Sequence, residues 1–319
     1  MECYTKLIEF HALYPRIVMA LGMFDGIHLG HQRIVKTAVR RAREIGGTAL
    51  VFSFLNHPRA VVDPQRSPRL IGSDVLRRKI LERLGVDVLA EIPFTPNFAK
   101  TDAADFVALL HQYCAPQYVV IGENYTFGRF GRGTPDLMRQ EAKRYGFRAL
   151  VCNPVIRDGE PISSTRIRGL IQQGEIAKVN EYLGYPFSII GTVVHGEARG
   201  RLLGFPTANI ELQDENESLP NGVYAVTVAH GAEQYAGVAN IGNNPTFGGC
   251  RRRLEVHIFD ISKDLYGDRL TVSFHARIRE ERRFSSAEEL KAQIERDKKT
   301  SISVIAEIFH LQENISMVI

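Results

Sequence analysis

Gly22-Met-Phe-Asp-Gly-Ile-His-Leu-Gly-His31 lies between an apolar run, Ile17 to Leu21, and a segment where Ile34, Val35, Ala38, Ala42 and Ile45 recur at helical spacing. The unbroken apolar run is what a strand buried on both faces shows. Gly46-Gly47 ends the helix, and Thr48 to Phe54 reads as a second strand. Strand, helix, strand with short joints is a βαβ unit, which requires parallel strands. The quoted stretch is then a strand–loop–helix corner. A helix start leaves N–H groups unpaired and carries the positive end of the dipole, so this corner suits phosphate. His28 and His31 can add strong donors that bring no permanent buried charge, as negative charge builds on a departing pyrophosphate. Asp25, flanked by glycine, fits an Asx turn as well as a ligand contact.

The alternation continues downstream. Asp74 opens a helix through Leu84, and Val86 to Ile92 follows as a strand. Thr101 or Asp102 opens the next helix, through Tyr113, before the strand Tyr118 to Gly122. Thr134-Pro135 is an N-cap with proline in the first turn, Gly146 ends that helix, and Arg148 to Val151 is a strand. About five strands alternating with helices predict a doubly wound parallel sheet, with ligands at the strand C-termini. Two further loops leave those ends. In Phe54-Leu-Asn-His-Pro58 the proline keeps His57 out of helical geometry. In Gly122-Glu-Asn-Tyr-Thr-Phe-Gly128 the glycines let backbone approach a ligand, and Tyr125 and Phe127 suit a planar ring, although a plain flexible loop reads the same way. Ile162-Ser-Ser-Thr-Arg-Ile-Arg168 opens another helix at Ser163 or Ser164, with Arg166 and Arg168 in its first turns. Serine capping with solvated arginines explains it, and so does a second anion site. Two anion-ready helix starts fit a triphosphate being split.

At 319 residues the chain predicts about two domains. With 44% hydrophobic and 24% charged residues it has the make-up of an ordinary globular protein. The net charge of +4 suits small anionic substrates, and no dense Lys/Arg block argues for a nucleic-acid partner. Cys3, Cys114, Cys152 and Cys250 show no paired spacing, so neither a zinc signature nor a disulfide framework is expected. No apolar run approaches the ~18–20 residues that span a bilayer, and a cytoplasmic chain with no membrane partner is expected.

Composition changes after Gly184-Tyr-Pro186, with the boundary near 184–188, giving domains 1–185 and 186–319. Phe187–Val194, Thr207–Leu212, Val223–Ala229, Tyr235–Ile241, Leu254–Phe259 and Arg269–Phe274 make about six strands, whose spacing predicts a small antiparallel barrel. A helix capped by Ser285 or Ser286 and an amphipathic stretch from Ile302 to Leu311 follow. Their periodicity fits packing on the barrel or on a neighbouring subunit, so self-association stays open. His195-Gly-Glu-Ala-Arg-Gly-Arg201 is a glycine-bounded turn, followed by Leu203-Gly-Phe-Pro-Thr-Ala-Asn209. Pro206 fixes the backbone, while Thr207 and Asn209 share one side of a starting strand and offer two oxygens, sparse enough for Mg²⁺, although such residues at strand starts usually serve turns. In Arg253-Leu-Glu-Val-His-Ile-Phe-Asp260 strict alternation puts Glu255 and His257 on one face and Leu254, Val256 and Ile258 on the other. Glu255 reads either as a solvated strand residue or as a base beside the metal loop.

Gly22–His31 resembles the G-x-F-D-G-x-H-x-G-H signature of nucleotidyltransferases, and Ile162–Arg168 their I-S-S-T-x-I-R element. Class I aminoacyl-tRNA synthetases share H-x-G-H but add a K-M-S-K-S loop that this chain lacks. Phe54–Pro58 and Gly122–Gly128 narrow the resemblance to the FAD synthetase module of bacterial riboflavin kinase/FAD synthetases, with Met23 departing from the family's small or polar residue. Gly196–Ile210 is similar to the riboflavin kinase signature. Pro220–Tyr224, Gly242–Phe247, Leu265–Gly267 and Arg279–Phe284 follow in the same order. The resemblance implies that riboflavin is phosphorylated by ATP to FMN, and that FMN is then adenylylated by ATP to FAD with release of pyrophosphate. It implies catalytic roles for His28, His31, Arg168 and Glu255. It makes Gly22, Phe24, Asp25, Gly26, Gly30, His57, Asn124, Ser163, Ser164 and Thr165 binding positions of the first site. Gly196, Gly200, Arg201, Gly204 and Pro206 are those of the second, where Thr207 and Asn209 hold Mg²⁺ with ATP. A chain with one degenerate half, or a flavin-binding sensor without catalysis, are the competing readings.

Overall fold

The computed structural model describes residues 1–196, 204–212, 216–246 and 249–316. The chain divides into two compact units, Met1–Arg69 with Asp74–Ser164, and Leu70–Ser73 with Thr165–Ile319.

The first unit is built on six parallel strands: β1 (Glu2–Tyr4), β2 (Val18–Leu21), β3 (Ala49–Phe54), β4 (Val88–Ile92), β5 (Tyr118–Gly122) and β6 (Arg148–Cys152). Their order is β1-β4-β3-β2-β5-β6. Five match the expected strands, and β1 is an added edge. Growth of the sheet runs one way from β2 through β3 to β4 and the other way from β5 to β6. Neighbouring strands β2 and β5 therefore flank the switch point, the crevice where doubly wound sheets hold ligands. The corner 22–31 leaves β2 and the Gly-rich loop 123–133 leaves β5, so topology alone brings both to that crevice.

The crossovers are α1 (Phe10–Leu13), α2 (Leu29–Glu44), α3 (Pro58–Val62), α4 (Asp74–Arg83), α5 (Ala103–Cys114) and α6 (Pro135–Tyr145). Every residue of β2 is buried, and so is every residue of β4. Met19, Leu21, Phe52, Phe106 and Met138 belong to one core. Local signals behave as their chemistry requires. The Thr134 hydroxyl accepts from the Leu137 N–H at 3.3 Å, and Gly146 takes the left-handed conformation (φ +78°) that ends α6. A short hairpin, β7 (Ile156–Arg157) with β8 (Glu160–Pro161), leads to α7 (Ser164–Gln173), followed by α8 (Ile176–Leu183).

The second unit is a closed antiparallel barrel of β9 (Ser188–Val194), β10 (Ala208–Glu211), β11 (Gly222–His230), β12 (Glu233–Thr246), β13 (Gly249–Ile258) and β14 (Arg269–Arg279), closing in the order β10-β13-β12-β11-β14-β9. Leu254, Val256 and Ile258 are buried while Glu255 and His257 are half-exposed, as the alternation predicts. The Asn180 carboxamide of α8 donates to the Phe274 carbonyl at 2.9 Å and accepts from the Phe187 N–H at 2.7 Å, tying α8 to the barrel. The two expected C-terminal helices form one, α9 (Ala287–Ser316), packed on β11, β12 and β14 of its own chain. Ser286 Oγ accepts from Glu289 N at 3.1 Å, and the Glu289 carboxylate accepts from Ser285 N at 2.9 Å, a reciprocal cap. Midway, Ser301 Oγ donates to the Gly237 carbonyl of β12 at 2.7 Å.

Candidate active sites

After β2 the chain turns through three left-handed residues, Phe24 (φ 52°), Gly26 (φ 71°) and Ile27 (φ 29°). For Phe and Ile that conformation costs on the order of 1–3 kcal/mol each. Both side chains are fully buried, and burial of such groups returns about 1.5–3 kcal/mol, so the strained turn is held by its own apolar contacts. Its carbonyls are held from three directions. Ser53 Oγ of β3 donates to Met23 O at 3.0 Å, Ser164 Oγ to Asp25 O at 3.0 Å, and Gln32 Nε2 of α2 to Ile27 O at 3.0 Å. Ser164, the last residue of the first unit, is thus tied to the corner.

His28 is the N-cap of α2. Its Nδ1 accepts from the His31 N–H at 3.4 Å, so the ring proton sits on Nε2, which stays the donor. The two imidazoles stack at 3.8 Å with 20° between planes, and Phe24 packs edge-on against His31 at 5.4 Å. Burial lowers His28 to about 4; burial, then the neighbouring His28, hold His31 well below the usual histidine range. At neutral pH both rings are uncharged donors rather than cations. His31 Nδ1 is buried and has no hydrogen-bond partner among the described residues. A Cβ added at Gly30 would stand 3.0 Å from His28 Cε1, so glycine gives the capping ring its place.

The other first-site residues take simpler positions. His57 is extended (φ −65°, ψ 130°) and its Nδ1 accepts from Arg59 N at 3.1 Å, capping α3. Asn124 is exposed in the turn after β5. Phe127 is packed into the core beside Phe106, and Tyr125, partly buried, stacks on it at 5.8 Å. The expected ring-lining pair is therefore mostly core. Ser163 precedes α7, Ser164 and Thr165 open it, and Arg168 follows one turn on.

In the barrel, Gly196, Pro206, Thr207 and Asn209 line one pocket of about 430 Å³. Asn209 is 6% exposed, and its Oδ1 has no partner among the described residues. Across the sheet Asn209 registers with Glu255, and Glu255 with Asn240 on its other side, so three polar side chains cross β10, β13 and β12 in a row. His257 Nδ1 donates to the Pro206 carbonyl at 2.8 Å and anchors the start of β10. Gly204 takes φ +86° before it. A Cβ at Gly196 would lie 2.2 Å from the Asn209 amide nitrogen, so the loop backbone lies against that side chain. Gly200 and Arg201 fall outside the described residues. Sequence reasoning missed the ring stack of His195 on Tyr266, 4.0 Å apart, at the same pocket. Two aromatic rings seventy-one positions apart carry no local signal. No group of three or more His, Cys, Asp or Glu side chains among the described residues is disposed to hold a metal. The orphaned Asn209 oxygen beside Thr207 does fit Mg²⁺, which takes few protein ligands and completes its shell with water and phosphate.

Residues 11–166 match the FAD synthetase family and residues 183–305 the riboflavin kinase family. The chain is 38% identical over 290 residues to the bifunctional riboflavin kinase/FMN adenylyltransferase of Bacillus subtilis (strain 168), covering 89% of this chain and 91% of the relative. It is 36% identical over 305 residues to the protein of that name from Haemophilus influenzae, covering 94% and 98%. A crystal structure titled macrolide-efflux protein, from Streptococcus pneumoniae, superposes with a TM-score of 0.83 at 32% identity, covering 94% of this chain and 99% of that one. Among the described residues no helix is long and apolar enough to cross a membrane.

Proposed function

The chain belongs to the family of bifunctional riboflavin kinase/FMN adenylyltransferases, and on that premise we propose which residues carry each half of the chemistry. The protein phosphorylates riboflavin with ATP to give FMN, then adenylylates FMN with ATP to give FAD and pyrophosphate. We assign adenylylation to residues 1–185 and the kinase step to 186–319. A cytoplasmic setting, where ATP is supplied, suits both.

In the first site a phosphate oxygen of FMN attacks the α-phosphorus of ATP, and the bond to pyrophosphate breaks. FMN phosphate is already a nucleophile, so the site has charge to stabilise rather than a proton to remove. The fixed His28 Nε2–H, the N–H groups opening α2 and the hydroxyls of Ser163 and Ser164 receive the phosphates. His31 supports the His28 ring; the role of Arg168 in this step rests on the family resemblance of Ile162–Arg168 alone. Gly22, Gly26 and Gly30 keep the corner open to the nucleotide, and His57 and Asn124 lie on the two neighbouring loops.

In the barrel Thr207 and Asn209 would hold Mg²⁺, which when bound neutralises charge on the ATP phosphates. Glu255, in register with Asn209, accepts the proton of the riboflavin 5′-hydroxyl as its oxygen attacks the γ-phosphorus. Gly196, Gly204 and Pro206 lie about the phosphates, and the family resemblance adds Gly200 and Arg201 as binding positions. Phosphoryl transfer depends mainly on positioning and charge neutralisation, so Asn209 should outweigh Glu255. The observation that carries the two-site reading is the pairing of a neutral, backbone-capped His28 in one unit with an orphaned Asn209 oxygen in the other. His28→Ala should abolish FAD formation while FMN formation continues, and Asn209→Ala should do the reverse. Chromatography of the flavins formed from riboflavin and MgATP reads the first variant, and of those formed from supplied FMN and MgATP the second; loss of FMN in His28→Ala, or loss of FAD formation from supplied FMN in Asn209→Ala, would refute the assignment.

A further inference from the structure

A groove of about 540 Å³ runs along the outer face of α2, lined by Leu29, Gln32, Arg33, Lys36, Arg40 and, from β7, Arg157, together with Thr37 and Val155. Four cations line it, Arg33, Lys36, Arg40 and Arg157, and no carboxylate is among its lining residues. Arg33, Lys36 and Arg40 recur at i, i+3 and i+7, which places them in one row on the helix. The row is exposed. Arg33 is aimed by two backbone carbonyls, its Nη1 donating to Asn153 O at 3.1 Å and Pro154 O at 3.2 Å. Arg40 forms a solvent-exposed ion pair with Glu44 at 3.9 Å.

The groove starts at the reaction corner. Leu29, its first residue, follows the capping His28, and its far wall, Val155 to Arg157, leads through the hairpin to Ser164, which holds the corner's Asp25 carbonyl. From Leu29 to Arg40 the helix rises about 16 Å. A polyanion leaving the α2 N-terminus on this side meets cations at successive turns. We propose that this groove receives the pyrophosphate released in adenylylation and draws it away from the histidine pair. The proposal rests on the reading that the first unit adenylylates FMN.

The reverse reaction tests it directly. An oxygen of pyrophosphate attacks the adenylyl phosphorus of FAD, the bond to the FMN phosphate breaks, and ATP and FMN form. In the full chain with Lys36→Glu and Arg40→Glu together, the KM for pyrophosphate in this direction should rise about tenfold, since exposed charges act weakly one by one. Its dependence on salt should flatten, with the KM for FAD and the kinase rate unchanged. Arg139→Glu with Lys143→Glu on α6 changes the net charge equally and should leave the pyrophosphate KM alone. An unchanged KM in the groove variant, an equal rise in the α6 variant, or a rise confined to ATP in the forward direction would overturn the proposal. Failure of the unaltered chain to form ATP from FAD and pyrophosphate would overturn the adenylyltransferase reading itself, and the groove's role with it.

Discussion

Gly30 stands where any added Cβ would come within 3.0 Å of Cε1 of the His28 imidazole. Alanine at a helical position ordinarily adds about 1 kcal/mol of helix stability over glycine. At Gly30 that gain competes with displacement of the ring that caps α2. We expect Gly30→Ala to keep or slightly raise the melting temperature while FAD formation falls about tenfold or more, since small misplacements of a catalytic group are costly. FMN formation should be untouched. A normal FAD rate would show that the ring's place is not set by this contact.

The buried histidines make the first unit acid-sensitive. A His28 pKa lowered from 6.5 to about 4 means that the unfolded chain takes up a proton before the folded one does. Its contribution is fully present above about pH 6.5 and is lost as pH falls toward 4, on the order of 3 kcal/mol in all. His31, shifted the same way, adds to the loss. Denaturant unfolding at a series of pH values should show that decline. His28→Asn, which can still cap the helix, should make it shallower.

Gly196 crowds the pocket proposed for the kinase step in a similar way, with a Cβ there 2.2 Å from the Asn209 amide nitrogen. Gly196→Ala should turn the Asn209 side chain. The kinase rate should drop on the order of a hundredfold, as removal of one oriented polar group typically does. The magnesium concentration needed for half-maximal kinase activity should rise, with FAD formation from supplied FMN intact.

Asp297 of α9 is 2% exposed, bonds Arg279 of β14 through Nε and Nη2 at 3.0 and 2.8 Å, and accepts from Gln293 at 2.7 Å. Replacement by alanine strands the arginine against the barrel. Breaking a buried pair from one side costs about 3–5 kcal/mol. Asp297→Ala should lower the melting temperature of the kinase half and reduce riboflavin phosphorylation at 37 °C, with FAD formation from FMN retained. An unshifted melting curve would show that α9 does not brace the barrel through this pair.

Much of the architecture is legible because each element carries its own local signal. Tyr118–Gly122 is bounded as its apolar run predicts, and α6 begins and ends at Thr134 and Gly146. The β1 strand has three residues, too few to show a period, and exists because β4 offers it an edge. α9 reads as two helices because Asp297-Lys-Lys-Thr-Ser301 interrupts the apolar pattern. Burial of Asp297 and Ser301 against polar partners on the barrel fills that gap. The residues of the candidate sites are visible as motifs, but their relations are not. That His28 spends Nδ1 on the helix backbone depends on a side-chain rotation. That Glu255 faces Asn209 depends on a register between strands more than forty residues apart.

The edge strand has a consequence for how the sheet is made. Among the described residues β1 pairs with β4 alone, in parallel register from Glu2↔Val88 to Tyr4↔Ala90. Some eighty residues are translated between the two partners, and at about 5–20 residues per second β1 waits several seconds or more with its backbone unpaired. β2, β3 and β4 add in the order in which they emerge, so β1 is a latecomer to a sheet whose synthesis it precedes. A segment so short, carrying Glu2 and closing once β4 is made, offers other nascent chains little to pair with in the interval.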